Sequence, residues 1–203
     1  AKYALPERYL FYPAQFWPHK NHARIVQALG LLKQQHGEQI PMVFCGSHSA
    51  ESVRRRTFNE VLALVHQLRL ESSVHYLGHV PDEDMSGLYA EAAALVMPTF
   101  FGPTNIPFLE AWAFGCPVLT SDIRGIREQV GDAAVLVDPR SVEAIADGIH
   151  RLWNDDALRR SLAERGGRRL ARYTPEDYRR RLVDALQEAK ARVQAGNVNY
   201  PAT

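Results

Sequence analysis

Phe101-Gly102-Pro103-Thr104-Asn105-Ile106-Pro107-Phe108-Leu109-Glu110-Ala111-Trp112-Ala113-Phe114-Gly115-Cys116-Pro117-Val118 is the stretch that decides the fold. Before it stands a short apolar strand, Ala94-Leu95-Val96-Met97-Pro98. A polar loop follows, then a helix over 106–114 that stops at Gly115, then a strand over 117–120. Thr104 or Asn105 can cap this helix, and Pro107 suits its first turn, where a missing N–H costs nothing. Free backbone N–H groups should therefore point out of the loop, backed by the positive end of a helix, an arrangement suited to phosphate. Glu110 lies about one turn into the helix.

Working outward, the same alternation runs through residues 9–137. Strands are read at 9–12, 41–46, 74–78, 94–98, 117–120 and 133–137. Helices are read at 21–35, 51–70, 82–92, 106–114 and 125–130, with Asp82 able to cap the third. Strands apolar on both faces and joined by helices make a parallel sheet covered on both sides. The expected class is α/β, a Rossmann-like doubly wound parallel sheet of about six strands followed by C-terminal helices. Those helices run from Ser141, as cap, to 153, from 155 to 171, and from Pro175 to 194. Residues 1–195 read as one domain and 196–203 as a tail. In such sheets ligands bind at the carboxyl ends of the strands, here the loops 13–20, 46–50, 78–82 and 98–106.

The bulk numbers narrow the class. With 203 residues, 46% of them hydrophobic, the chain can bury a substantial core. A net charge of +1 argues against nucleic acid as a partner. Between Arg151 and Arg192, 12 Arg or Lys face 7 Asp or Glu, which reads as a solvated face or as a surface for a partner domain or anionic lipid. Cys45 and Cys116 both border apolar runs and read as small core residues in a reducing compartment. No apolar stretch approaches the roughly 20 residues of a membrane span. The eight histidines show no metal spacing, and no G-x-G-x-x-G, Walker loop or G-x-S-x-G elbow is present. The chain opens a few residues before a strand and without a signal peptide, so a fragment of a longer protein is expected.

Candidate ligand residues fall in four loops. In the first, Lys20 stands at the start of a helix, where the dipole disfavours a cation unless an anion binds; a solvated lysine is the alternative. Gln15 can donate an amide N–H to a phosphate oxygen, and His19 reads as a surface histidine rather than a base. The second loop, Gly46-Ser47-His48-Ser49, lets backbone approach a ligand or is a plain turn. In the third, His79 and Val80 offer backbone groups to the edge of a base or simply connect two elements. The fourth holds Thr104, Asn105 and Ile106, then Glu110, a carboxylate in an apolar helix expected to face the sheet. Glu110 either favours the helix dipole or accepts hydrogen bonds from the vicinal hydroxyls of a ribose. Glu128 caps nearby backbone or lines the cleft.

These residues carry a resemblance. From Tyr9 to Tyr173 the chain is similar to the carboxyl-terminal, donor-binding domain of family-four retaining glycosyltransferases of the GT-B fold. Phe11 to Asn21 resembles the family's first strand and phosphate loop, with Lys20 on its lysine. Val43-Phe44-Cys45-Gly46 resembles its second strand, and Leu77-Gly78-His79-Val80-Pro81 with Leu88-Tyr89-Ala90 its base-side loop and helix. The 107–118 segment is the most specific match, and 131–134 with Asp138-Pro139 close the pattern. Two departures stand out. Gln15 replaces an arginine, and Gly102 replaces the first of two glutamates of which Glu110 is the second, leaving sugar contact to Thr104, Asn105 and backbone N–H groups.

The resemblance implies transfer of a sugar from a nucleotide sugar, such as a UDP- or GDP-sugar, to an acceptor hydroxyl with retention. Lys20 and Glu110 would be the catalytic residues. Gln15, Gly46, Ser47, His79, Val80, Thr104, Asn105, Ile106 and Glu110 would bind the donor, with no metal and no further cofactor. The acceptor, a glycan or lipid-linked glycan, would bind an N-terminal domain absent here, so this chain alone should bind nucleotide but transfer sugar poorly or not at all. A role in polysaccharide biosynthesis in the cytoplasm is implied, with the inner face of a membrane as a peripheral setting. The alternatives are a nucleotide-sugar epimerase of the same fold and a non-catalytic nucleotide-sugar-binding module.

Overall fold

The structure, a computed structural model, describes residues 2–47, 52–102 and 105–194. Six strands form one sheet: β1 (Leu10–Pro13), β2 (Met42–Cys45), β3 (Val74–Tyr76), β4 (Ala94–Met97), β5 (Val118–Ser121) and β6 (Ala134–Val137). Their order is β3-β2-β1-β4-β5-β6, and every pairing is parallel. Phe11 lies opposite Val43 on one side and Leu95 on the other. Apolar side chains on both faces explain this arrangement: all four residues of β2, β4 and β5 are buried.

The intervening helices are α1 (His22–His36), α2 (Ser52–Gln67), α3 (Asp82–Glu91), α4 (Ile106–Ala113) and α5 (Arg124–Val130). After β6 come α6 (Val142–Asn154), α7 (Asp156–Leu170) and α8 (Pro175–Gln194). On one face α1 packs between α2 and α6; on the other α4 packs between α3 and α7. The α4–α7 contact is close because Gly166 lies flat on the Trp112 indole, where a Cβ would collide. Ser141 caps α6 through the Ala144 N–H, as expected, and Asp155 caps α7 through Leu158. Asp82 does not cap α3: Pro81 occupies the cap position without a side-chain bond, and Asp82 is the first helical residue. Both cysteines are buried and free, and burial pushes each thiol up to about 12.

Candidate functional site

Strand order reverses beside β1, whose neighbours are β2 and β4. The chain leaves β1 toward one face and β4 toward the other, so the loops after them part and leave a crevice at the strands' carboxyl ends. The first of these loops contains a turn the sequence pattern did not show. Pro18–Lys20 form a single 3-10 turn, and Asn21, left-handed at φ 62°, separates it from α1. Lys20 therefore stands just ahead of α1 and not within it.

This turn is fixed from three sides. The Tyr12 hydroxyl, buried beneath it, donates to the Lys20 carbonyl at 2.9 Å. The His19 carbonyl accepts from the Phe100 N–H (2.8 Å) and the Thr99 hydroxyl (2.9 Å), which ties the turn to the loop after β4. Asn21, buried, donates its amide to the carbonyls of Pro98 and Pro139, both at 2.8 Å. Below, the His22 ring is stacked between Tyr12 (4.8 Å) and Phe16 (4.3 Å). Neither of its ring nitrogens has a hydrogen-bond partner. Burial pushes its pKa down to about 3, the nearby Ala14 carbonyl opposing the fall and Lys20 adding to it.

The other loops are stitched to the same rim. Gly46 donates to the Gly78 carbonyl at 2.7 Å, and Ala14 to the Cys45 carbonyl at 2.9 Å. Gly46 has φ 137°, and a Cβ there would meet the Ala14 carbonyl oxygen at 2.5 Å, so glycine is required. Gln15 accepts at Oε1 from Trp17 Nε1 (3.1 Å) and from Arg54 of α2 (3.0 Å).

Burial lowers the pKa of the half-buried Lys20, because a partly desolvated ammonium is disfavoured. An anion beside it would reverse that. His19 is half-buried rather than on the surface; burial and then Lys20 lower its pKa, and its ring meets the edge of Phe101. Glu110 is exposed, not turned to the sheet, and accepts at 2.7 Å from the buried Tyr89 hydroxyl of α3. Burial, then this bond, raises the Tyr89 pKa, so the phenol stays a donor. Lys20 and Glu110 do not bond to one another. Both follow strands flanking the switch point, and the 98–102 backbone that braces the Lys20 turn leads on to α4.

Asn105 corrects an expectation. It occupies the cap position of α4, but its side chain makes no cap bond. It is buried and turned back, donating to the Gly102 carbonyl (2.9 Å) and Gln129 Oε1 (3.1 Å). Its Oδ1 fills the space a Cβ on Gly102 would need, so the missing side chain at 102 and the inward Asn105 go together. Ile106 is 58% exposed and Phe101 62%, an apolar pair on either side of the loop. Thr104, His48 and Ser49 lie outside the described residues. Ser47 is half-buried, His79 exposed and Val80 buried. Glu128 is exposed and pairs with Arg124 at 3.4 Å. A groove of about 520 Å³ lies elsewhere, between residues 2–9 and α3, and includes none of these side chains. Among the described residues no cluster of three or more metal-ligating side chains occurs, and no helix is long and apolar enough to cross a membrane.

These features define a Rossmann-like α/β domain whose rim of small and cationic groups lies at the switch point, where such sheets carry ligands. The chain belongs to the glycosyl transferases group 1 family, whose model matches residues 2–169. It is 33% identical to the O-antigen chain mannosyltransferase B of Escherichia coli, over 92% of this chain and 48% of that protein. It is 28% identical to a D-inositol 3-phosphate glycosyltransferase of Corynebacterium urealyticum, over 86% and 41%. The chain thus spans about half the length of these curated relatives. Among solved structures, sucrose-phosphate synthase from Thermosynechococcus elongatus superposes with a TM-score of 0.78 at 25% identity, over 92% of this chain and 47% of that one. Anabaena HepE, solved with UDP and glucose, has a TM-score of 0.76 at 19% identity, over 90% and 49%, a likeness of fold.

Proposed function

We propose that this chain is the donor-binding half of a GT-B glycosyltransferase that moves a sugar from a nucleoside diphosphate to an acceptor hydroxyl with retention. One observation carries the reading: the Lys20 turn is hydrogen-bonded to the loop that opens α4. In this reading Lys20 stands beside backbone N–H groups that receive the diphosphate. Negative charge growing on the departing diphosphate is met by Lys20 and by helix N-termini, and preoriented groups of this kind act without reorganising. In this reading no metal or other cofactor takes part. Glu110, held by Tyr89, accepts from the ribose hydroxyls. The Escherichia coli relative is named a mannosyltransferase, so GDP-mannose is the first donor to test, with UDP-sugars beside it.

The acceptor, a glycan or lipid-linked glycan, belongs to a second domain, with polysaccharide assembly at the cytoplasmic side of a membrane as the setting. The exposed apolar residues of α8, Tyr178, Leu182 and Leu186, fit a surface that meets that domain. The relatives named above are called transferases or synthases and give the epimerase alternative no support.

Calorimetric titration of UDP and GDP tests the site. Lys20→Ala should weaken whichever diphosphate binds about tenfold, or ~1.4 kcal/mol. Glu110→Gln should weaken a nucleotide with a 2′,3′-diol more than its deoxy analogue. Parent-like affinity in Lys20→Ala removes the phosphate role.

A further inference from the structure

We infer that a cleft at the C-terminal end of α7 is a binding site for a phosphate group, separate from the donor crevice. About 100 Å³ in volume, it is lined by Asp132, Arg165, Arg168, Arg169 and Arg172. None of these belongs to the loops around Lys20 or to α4. Drug-sized ligands fill pockets of roughly 300–1,000 Å³, so this cleft has room for a single oxyanion and not for a nucleotide. Four guanidinium groups meet one carboxylate here, an excess of three positive charges. Asp132 is 74% exposed, so its carboxylate opposes an anion mainly through solvent and therefore little.

The four arginines fall at spacings of three, one and three along α7 and just past its end, so they share one side and repel one another. The fold itself accounts for two of them. Arg169 donates to the carbonyls of Glu128 and Gln129, which the end of α5 leaves without helical partners. Its guanidinium lies against Gly131, where a Cβ would meet Nη1 at 2.6 Å. Arg165 donates to the Ser161 carbonyl at 3.2 Å and stands 4.0 Å from Asp132. Arg168 and Arg172 are exposed, and among the described residues no carboxylate pairs with either. The negative end of the α7 dipole attracts cations, but from any side of the helix, and gives no reason for these two to line the same cleft as Arg165 and Arg169. An oxyanion gives that reason. Half-buried Arg165 and Arg169, braced by backbone carbonyls, form a fixed wall, and Arg168 and Arg172 close on the anion from the solvent side. Guanidinium forks match phosphate oxygens in pairs, and every cation of the cleft is an arginine. The ligand is thus a phosphate ester, carried by a soluble molecule or by a lipid headgroup.

The test uses the full chain at constant ionic strength, because salt screens exposed charges. Inorganic phosphate put in place of chloride should shift the amide resonances of Asp132 and of the end of α7. Arg168→Gln combined with Arg172→Gln should weaken this binding about tenfold, the worth of one charge-assisted hydrogen bond. Both side chains are exposed, so circular dichroism and melting of the double variant should match the parent. Arg160→Gln, which changes an exposed arginine of α7 outside the cleft, should bind phosphate as the parent does. Sedimentation with vesicles of phosphatidylcholine, with and without phosphatidylglycerol, separates the two sources. Binding to the anionic vesicles that the double variant loses and Arg160→Gln keeps assigns the site to a lipid headgroup. Phosphate binding in the cleft without vesicle binding assigns it to a soluble phosphate ester. The inference is overturned if phosphate leaves the cleft resonances unmoved and all three proteins bind vesicles equally, or if Arg160→Gln loses as much as the double variant. A fall in UDP or GDP affinity in the double variant overturns it too, since the cleft would then belong to the donor crevice. Nucleotide binding at Lys20 is measured separately, so the donor-site reading stands whichever way the phosphate titration falls.

Discussion

At His22 the chain has sealed an imidazole between Tyr12 and Phe16, directly beneath the turn that carries Lys20. The stack gives the turn a rigid floor, and it makes the fold sensitive to acid. In the unfolded chain this ring takes up a proton near its ordinary 6.5; in the fold it does so only near 3. Between these values the unfolded state binds more protons, so the contribution is complete above pH 6.5 and is lost as pH falls toward 3. The slope is about 1.4 kcal/mol per pH unit. His22→Phe keeps an aromatic ring in the stack and removes the proton. Urea unfolding of both proteins at pH 7 and pH 5 should show the parent losing about 2 kcal/mol more than the variant between the two, whatever constant offset the new ring adds. Equal slopes would mean that the native imidazole finds a way to be protonated. Tyr89 and Glu110 show the complementary case, a buried phenol holding an exposed carboxylate in one orientation.

At the scale of elements, the seating of α7 on α4 depends on Gly166 facing Trp112. Gly166→Ala improves helix propensity by about 1 kcal/mol but drives a methyl into the indole. Overpacking of this kind costs about 1–3 kcal/mol, so the urea midpoint should fall. A midpoint that rises would show that α7 moves off α4 freely. The helices and strands themselves were legible in the sequence to within a few residues. Each strand is a short apolar run bounded by polar turns, and β4 at 94–97 is buried throughout, as its composition demands. The loops were legible only in part. The 3-10 turn at 18–20 and the left-handed Asn21 depend on bonds to Pro98 and Pro139, far along the chain. Asn105 has the right identity for a cap, yet Gly102 and Gln129 draw its side chain inward, because the space beside a glycine is open. The bond from Arg54 to Gln15 joins residues 39 positions apart, which the parallel pairing of β1 with β2 brings to one end of the sheet.

For the molecule as a whole, the question is which parts the domain needs for its own stability and which it holds for a partner. The core is made by the sheet and by α1 to α7, and its buried hydrophobic side chains end at Leu162. Beyond it α8 is different. Its described side chains are exposed apart from the half-buried Asp177, and Tyr178, Leu182 and Leu186 are 71%, 47% and 62% exposed. These three recur every four residues and so form one stripe. An isolated helix of 20 residues is only marginally stable in water, and its own packing contributes little here. A chain ended after Tyr173 should therefore unfold within about 0.5 kcal/mol of the parent in urea, as surface changes away from buried contacts do. Its affinity for UDP or GDP should also be unchanged, since no residue of α8 belongs to the loops around Lys20. Ending the chain after Asn154 instead removes α7 and uncovers Trp112, and should cost several kcal/mol through lost burial. If the shorter deletion destabilises as much as the longer one, α8 is part of the core in solution, and its apolar stripe has no surface to offer a second domain.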